Sequence, residues 1–125
     1  MKIVESGHTY QLTHFDGEHS SLLIFFKREG DGYPGNIGHH EGTNLQEVIR
    51  VLLDRTKYLD NQIEDYTNKI VMRHLRSALI WLEKRAAMRH GLEPPEMIIA
   101  PGAIDNNLIE DLPFCNICGH IVCRH

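Results

Sequence analysis

The sequence predicts an α+β fold: a small N-terminal antiparallel β-hairpin or sheet, then an antiparallel helical hairpin, then an irregular tail that contains cysteines. Residues 8–29 hold two short apolar stretches on either side of a turn sequence, as β-hairpins do. Residues 43–60 and 66–90 repeat apolar side chains at helical spacing, whereas 92–114 contain Pro and Asn with little periodicity. We therefore divide the chain into a β-hairpin region with a glycine-rich loop (1–41), a helical hairpin (42–91), and a linker or wrapping segment with a candidate zinc knuckle (92–125).

The sequence of residues 8–29 predicts the β-hairpin from two strand-like stretches joined by a turn. Residues 8–15 alternate loosely between polar and apolar side chains, and 16–19 supply turn chemistry. The continuous apolar run at 21–26 is typical of a strand that is covered on both faces. Two strands alone are marginal in water, so we expect this unit to need the helices or another subunit. Three glycines and a proline then predict a loop at 27–36.

Residues 43–60 predict the first helix of the hairpin. Thr43 and Gln46 are three residues apart, as in a capping box, where each side chain bonds a free amide at the helix start. Apolar side chains at helical spacing predict that one face of this helix is buried. That apolar stripe consists of Leu45, Val48, Ile49, Leu52, Leu53 and Leu59.

Residues 66–90 predict the second helix, and Gly91 is a natural stop for it, with two prolines shortly beyond. Because the connection between the helices is short, we expect them to pack antiparallel. The apolar stripe of the second helix consists of Val71, Leu75, Ala78, Leu79, Leu82 and Ala86.

The net charge of −4 is spread unevenly along the chain. Residues 66–90 carry a net charge of +5, and the remainder carries −9. The acidic remainder argues against a general nucleic-acid-binding protein, whose binding domain is usually basic. The local excess of cations favours a small anionic ligand.

Cations and one aromatic residue follow helical spacing on the second helix. Trp81 is followed at intervals of four residues by Arg85 and Arg89, which places a guanidinium near the indole. Arginine binds phosphate in bidentate fashion and an indole stacks on a base, so this pattern favours a nucleotide ligand. The alternative is a solvated helix face with Trp81 in the core. The three cations that share one face, which we call the basic ridge, are Lys69, Arg73 and Arg76.

The sequence holds no recognisable pattern of catalytic residues. Nine histidines include the adjacent pair His39 and His40, but none has the spacing of a hydrolase metal site, and no nucleophile motif or Walker loop is found. We therefore expect a binding protein and not an enzyme. No apolar run approaches the roughly 20 residues that span a bilayer, and the N-terminus lacks the apolar stretch of a signal peptide, so we expect a cytoplasmic protein.

All three cysteines fall in the last eleven residues. Cys115 and Cys118, followed by a glycine, have the spacing of a zinc knuckle, and Cys123 with either His120 or His125 would complete a tetrahedral site. Such a closed site would make the zinc structural. The alternative is a tail with free thiols, because the second knuckle of a zinc ribbon is missing. We assign the metal ligands to Cys115, Cys118, Cys123 and His125.

Residues 42–55 (GTNLQEVIRVLLDR) and 74–85 (HLRSALIWLEKR) resemble the helical hairpin of phage anti-Thoeris signal sponges, which anti-CBASS sponges share more distantly. The loop at 27–36 (KREGDGYPGN) is also similar to the anti-Thoeris branch. The resemblance covers about residues 22–91 and leaves out the cysteine tail.

The resemblance implies a protein that binds and sequesters a cyclic nucleotide immune signal without cleaving it, so that the Thoeris or CBASS effector is not activated. The signal would be a glycocyclic ADP-ribose isomer or, as in some relatives, a cyclic oligonucleotide. The family is homo-oligomeric, which implies dimers that assemble into a hexamer, here in the cytoplasm of an infected bacterial host cell. The candidate ligand-binding residues are Arg28, Asn44, Arg50, Arg55, Arg73 and Trp81.

Three alternative functions stay open at this point. The chain could be a nucleic-acid-binding regulatory protein that uses the zinc knuckle, a phosphodiesterase that degrades the same signal, or an oligomeric structural protein. The first predicts strongly salt-dependent binding, and the second predicts a reaction product and dependence on a metal.

Overall fold

The computed structural model describes residues 1–26, 41–89, 91, 93, 102–105 and 108–111. The chain divides into two compact units, Met1–Asn44 and Leu45–His125. The predicted α+β class, a small antiparallel sheet followed by an antiparallel helical hairpin, is confirmed. The elements in chain order are β1 (Lys2–Glu5), β2 (Thr9–Thr13), β3 (Ser20–Ile24), α1 (Leu45–Gln62), α2 (Tyr66–Arg89), a 3-10 turn (Ala103–Asp105) and α3 (Leu108–Asp111).

The first unit is built on a three-stranded antiparallel sheet in the order β1-β2-β3. Tyr10 of β2 lies opposite Leu23 of β3 on one side and opposite Ile3 of β1 on the other. The predicted turn joins β2 to β3: the amide of His14 donates to the carbonyl of His19 at 3.0 Å, and Gly17 takes a positive φ of 74° that suits glycine. The sequence indicated the β2–β3 hairpin, and the structure adds β1 to its edge.

The prediction that β3 is covered on both faces is wrong. Leu22 is 63% exposed and Ile24 is 43% exposed, while Leu23 between them is half-buried. Neighbouring side chains of a strand point to opposite faces, so the face that carries Leu22 and Ile24 is uncovered. Among the described residues of this unit, none is buried.

Gly42 lets the chain pass close to the end of β3. The amide of Thr43 donates to the carbonyl of Ile24, and the amide of Phe26 donates to the carbonyl of Thr43, each at 2.9 Å. A Cβ atom on Gly42 would lie 2.6 Å from backbone atoms of Phe25 and Phe26. Glycine is therefore required here for close backbone approach.

These backbone bonds also explain why the predicted capping box at Thr43 and Gln46 is wrong. Thr43 pairs with the sheet through its backbone, so α1 begins at Leu45, and Asn44 is the residue that precedes its first turn. At its other end, α2 stops at Arg89, and Gly91 follows with a φ of 67°, as the sequence predicts.

The second unit holds a thin apolar core between α1, α2 and the segment that follows them. Ile49, Leu75 and Ile104 pack against it partly buried. Buried charged side chains lie beside it, since Arg76 and Glu83 of α2 are less than a tenth exposed. The buried members of this core are Leu53, Met72, Leu79, Ile80 and Ile109.

The predicted apolar stripe of α1 is only partly the face that packs on α2. Leu53 is fully buried, but Leu45, Leu52 and Leu59 are 50%, 46% and 40% exposed. Apart from Leu53, the buried positions of α1 are the polar residues Gln46 and Asp60, at seven-residue spacing from Leu53. The prediction that this stripe is buried as a whole is therefore wrong, because paired polar side chains share the helix interface with Leu53. Val71 and Ala78 of the predicted α2 stripe are exposed as well.

The connection between the helices is held by two aspartates. Asp60 accepts hydrogen bonds from the amide of Asp65 at 3.0 Å, from Asn68 Nδ2 at 3.2 Å and from Lys69 Nζ at 2.6 Å. The backbone bond from Asp65 and the Lys69 ammonium lower the pKa of Asp60 to about 2. Asp65 caps α2, since its Oδ1 accepts the amide of Thr67 at 2.8 Å.

Neither α1 nor α2 is apolar over a length that would cross a membrane, and the same holds for the shorter helix in the described part of the chain.

Candidate functional site

The basic ridge of α2 is matched by carboxylates from other parts of the second unit. Lys69 Nζ lies 2.6 Å from Asp60, and Arg73 Nε lies 2.7 Å from Asp105. Arg76 forms a bidentate pair with the carboxylate of Glu110. Each cation of the ridge therefore already has an internal anion, which weakens its attraction for a ligand from solution.

Two cations from different helices converge on Glu110. Arg76 donates from Nε at 3.0 Å and from Nη2 at 3.0 Å to its two oxygens, and Lys57 Nζ lies 2.7 Å from Oε1. The side chains of Arg76 and Glu110 are 7% and 5% exposed. Burial acts to raise the pKa of Glu110, but the bonds from Arg76 and Lys57 outweigh it and hold this pKa below its usual range. Glu110 is thus ionised at neutral pH.

Arg50, a candidate ligand residue, lies inside the helical hairpin. Its Nη2 is 3.6 Å from Oε1 of Glu83, which is fully buried, and only 10% of the Arg50 side chain is exposed. Removing one partner of such a buried pair would leave an uncompensated charge. Arg50 therefore supports the packing of α1 on α2. Asn44, another candidate, is half-buried directly before α1.

Aromatic residues with a cation beside them form the exposed part of the site. Trp81 is 66% exposed, and Lys84 Nζ lies 4.5 Å from the centroid of its indole. On α1, Tyr58 is 52% exposed, and the guanidinium carbon of Arg55 lies 5.3 Å from its ring centroid. We call these two groups the aromatic–cation pairs. Each pair combines an exposed ring, of the kind that can stack on a base, with a cation, of the kind that can attract phosphate.

The structure revises the expected neighbour of the indole. The sequence places Arg85 and Arg89 near Trp81 at intervals of four residues, and within the described chain the cation over the ring is Lys84, three residues on. Both spacings bring side chains to the same helix face. The alternative with Trp81 in the core is excluded by its exposure.

Several candidate residues lie outside the described part of the chain. These include Arg28 with its glycine-rich loop and the proposed zinc ligands Cys115, Cys118, Cys123 and His125, together with the alternative ligand His120. In the ranges that are described, no three His, Cys, Asp or Glu side chains are grouped as metal ligands would be.

Sequence reasoning missed the residues that neutralise the basic ridge. Asp105 and Glu110 are about thirty residues from their partners along the chain, and no local spacing could have linked them. The sequence alone could have revealed the aromatic–cation pairs. Lys84 follows Trp81 by three residues on α2, and Tyr58 follows Arg55 by three residues on α1, a spacing that places side chains on the same helix face.

Comparison of the chain with models of known protein families, with curated proteins and with solved structures finds no match.

Proposed function

We propose that this protein is a phage anti-defence sponge that binds and sequesters a cyclic nucleotide signal without cleaving it. The ligand would be a glycocyclic ADP-ribose isomer or a cyclic oligonucleotide, and its capture would keep a Thoeris or CBASS effector inactive in the cytoplasm of the infected host cell. The resemblance of residues 42–55 and 74–85 to that family supports the proposal, and those residues fall largely on α1 and α2.

The observation that carries the proposal is the exposed indole of Trp81 with the Lys84 ammonium 4.5 Å from its centre. A cyclic nucleotide needs a flat apolar partner for its base and a cation for its phosphate, and this pair supplies both. Arg55 and Tyr58 repeat the combination on the other helix.

The expected affinity favours a ligand that is enclosed by more than one subunit. A nanomolar sponge needs about −12 kcal/mol of binding free energy. Stacking on an aromatic ring contributes roughly 1–3 kcal/mol, and a hydrogen bond to a charged group contributes about 1.5–3 kcal/mol. Two aromatic–cation pairs reach the required value only at the upper limits of these ranges, so further contacts from a second copy would be needed.

The apolar surface of α1 suits a second copy as the partner. Leu45, Leu52 and Leu59 are 40–50% exposed and follow seven-residue spacing along one face. A row of apolar side chains at this spacing is the seam by which helices pack on one another. We propose a homo-oligomer that assembles through the helical hairpin, with dimers as its building blocks and a hexamer as the full assembly.

The experiment that tests the proposal is equilibrium binding of glycocyclic ADP-ribose and cyclic oligonucleotides to the full chain and two variants. Trp81→Ala removes the stacking ring, and Val71→Ala shortens another exposed side chain of the same helix, away from Trp81, since Val71 is 46% exposed. We expect Trp81→Ala to weaken binding about tenfold or more, and Val71→Ala to leave it unchanged. Equal affinities for all three proteins would contradict the assignment of Trp81.

The alternatives predict different results in the same experiment. A nucleic-acid-binding regulator would bind DNA or RNA with a steep dependence on salt and would ignore the cyclic nucleotides. A phosphodiesterase would convert the ligand and depend on a metal. A structural oligomer would bind none of these ligands.

A further inference from the structure

The segment that follows the helical hairpin carries two acidic residues onto the basic ridge. Residues 102–105 and 108–111, which we call the strap, pack on α2 in the second unit. Asp105 pairs with Arg73, and Glu110 pairs with Arg76 and Lys57. The proposed nucleotide surface at Trp81 uses none of these residues.

The contacts of Glu110 have the geometry of an anion-binding site. A guanidinium donates from two nitrogens to two oxygens, at 3.0–3.2 Å, and an ammonium approaches one of these oxygens at 2.7 Å. The guanidinium of Arg76 also donates to the carbonyl of Ile104 at 3.5 Å, which fixes its orientation. Proteins use such a planar fork with an added ammonium to hold phosphate oxygens.

The charges in the cluster do not balance. Glu110 brings one negative charge to the two positive charges of Lys57 and Arg76. The neighbouring Arg73 is already neutralised by Asp105. In the described part of the chain one carboxylate thus faces two cations, of which Arg76 is almost fully buried, and a phosphate group with two negative charges would match this pair of cations better than a carboxylate.

We propose that Lys57 and Arg76 form a second anion-binding site, for a phosphate group, which Glu110 keeps closed as an internal anion until a ligand displaces its carboxylate. Ile109, 1% exposed in the core, keeps the strap attached, so that only the Glu110 side chain has to turn away. This site does not depend on the proposed sponge function, since it recognises a phosphate group whatever molecule carries it.

The test is calorimetric binding of pyrophosphate and of adenosine monophosphate to the full chain, its Glu110→Gln variant and a matched control at constant ionic strength. The control is Glu64→Gln, which removes one acidic charge from an exposed position 4.0 Å from Lys69. We expect Glu110→Gln to bind one of these ligands roughly tenfold more tightly than the wild type, because the internal competitor has lost its charge. Glu64→Gln should differ from the wild type by less than about twofold.

Adding Arg76→Gln to Glu110→Gln should remove the gain. A gain with pyrophosphate alone identifies a site for the bare phosphate group, and a gain with the nucleotide alone identifies a nucleotide site. Either result supports the proposal, and no gain with either ligand overturns it.

The wild-type chain provides a second measurement if Glu110→Gln does not fold. Saturating pyrophosphate should shift the side-chain carboxyl resonance of Glu110 in the carbon NMR spectrum, compared with sodium chloride at the same ionic strength. An unchanged carboxyl resonance would overturn the displacement of Glu110.

Discussion

The Lys and Arg side chains of the helical hairpin have two kinds of partner, internal carboxylates and aromatic rings. Lys69, Arg73 and Arg76 each contact an internal carboxylate, whereas Lys84 and Arg55 lie over exposed aromatic rings. A cation that is already paired gains little from a second anion, because its charge is largely compensated. Lys84 and Arg55 can therefore respond directly to a ligand in solution, whereas a ligand at Arg76 has first to displace the carboxylate of Glu110.

This difference predicts unequal effects of two charge-removing substitutions on nucleotide binding. Lys84→Gln should weaken binding of the cyclic nucleotide about tenfold, the effect of losing one hydrogen bond to a charged group. Arg73→Gln should change it by less than about twofold, since Arg73 already pairs with Asp105. Titration calorimetry at two salt concentrations measures both. A larger loss for Arg73→Gln than for Lys84→Gln would contradict this account.

Gly42 gives a prediction for folding at the residue scale. Gly42→Ala places a Cβ atom 2.6 Å from the backbone of Phe25 and Phe26, and these are atoms that cannot move aside without breaking the bonds to Thr43. We expect a loss of about 1–3 kcal/mol in the free energy of unfolding, as overpacking usually costs. Thermal unfolding measures it, with Ser6→Ala, exposed in the same unit, as a control that should stay near the wild type.

At the scale of elements, the sequence predicts the helices best. The predicted ranges 43–60 and 66–90 agree to within two residues with the observed helices, Leu45–Gln62 and Tyr66–Arg89. The agreement is close because helical periodicity and the stop at Gly91 are local signals in the sequence. β1 is only four residues long, too short for a period-two pattern to reveal it from the sequence. The start of α1 shifts because Thr43 bonds to the sheet, a contact that no local pattern contains.

Burial was harder to predict than the elements themselves. The sequence shows the apolar spacing of Leu45, Leu52 and Leu59, but not that Gln46 and Asp60 take the buried positions on either side of Leu53, with Asp60 paired to Lys69 of α2. The candidate site could be predicted only in part. The sequence pointed to Trp81, which is exposed and therefore accessible to a ligand. It did not show that carboxylates neutralise the basic ridge, because Glu110, for example, lies far from Arg76 along the chain.

The exposed stripe of α1 predicts how the protein assembles. Leu52→Glu places a charge in the centre of the apolar seam and should convert the oligomer to a smaller species, since burying an unpaired charge is strongly unfavourable. Asn61→Glu adds the same charge at an exposed position of α1 outside the seam and should leave the assembly intact. Sedimentation velocity measures the masses. A wild-type monomer, or an unchanged mass for Leu52→Glu, would contradict assembly through this face.

At the scale of the whole molecule, two acidic residues make the second unit sensitive to acid. The pKa of Asp60 falls from its ordinary value of 3.8 to about 2 in the folded chain, and that of Glu110 is lowered by Arg76 and Lys57 against the effect of burial. A carboxyl group with a lowered folded pKa stabilises the fold above its unfolded pKa, and this contribution is lost as the pH falls through the folded value.

We therefore expect the melting temperature to fall as the pH decreases from about 4 to about 2. Asp60→Asn should be less stable than the wild type at neutral pH and should show a smaller fall over this window. Asp54→Asn, at an exposed position of α1, should follow the wild type. Melting curves between pH 7 and pH 2 measure the effect, and an equal fall in Asp60→Asn and the wild type would show that Asp60 is not responsible.

The most direct test of the central claim is to ask what the protein holds and in what chemical state. The purified chain is mixed with glycocyclic ADP-ribose and cyclic oligonucleotides, unbound ligand is removed, the protein is heat-denatured, and the released molecules are identified by mass spectrometry. Sequestration predicts an intact cyclic nucleotide that appears only after denaturation. A cleaved product would contradict a sponge and indicate an enzyme, and the release of no nucleotide would contradict the binding of these signals altogether.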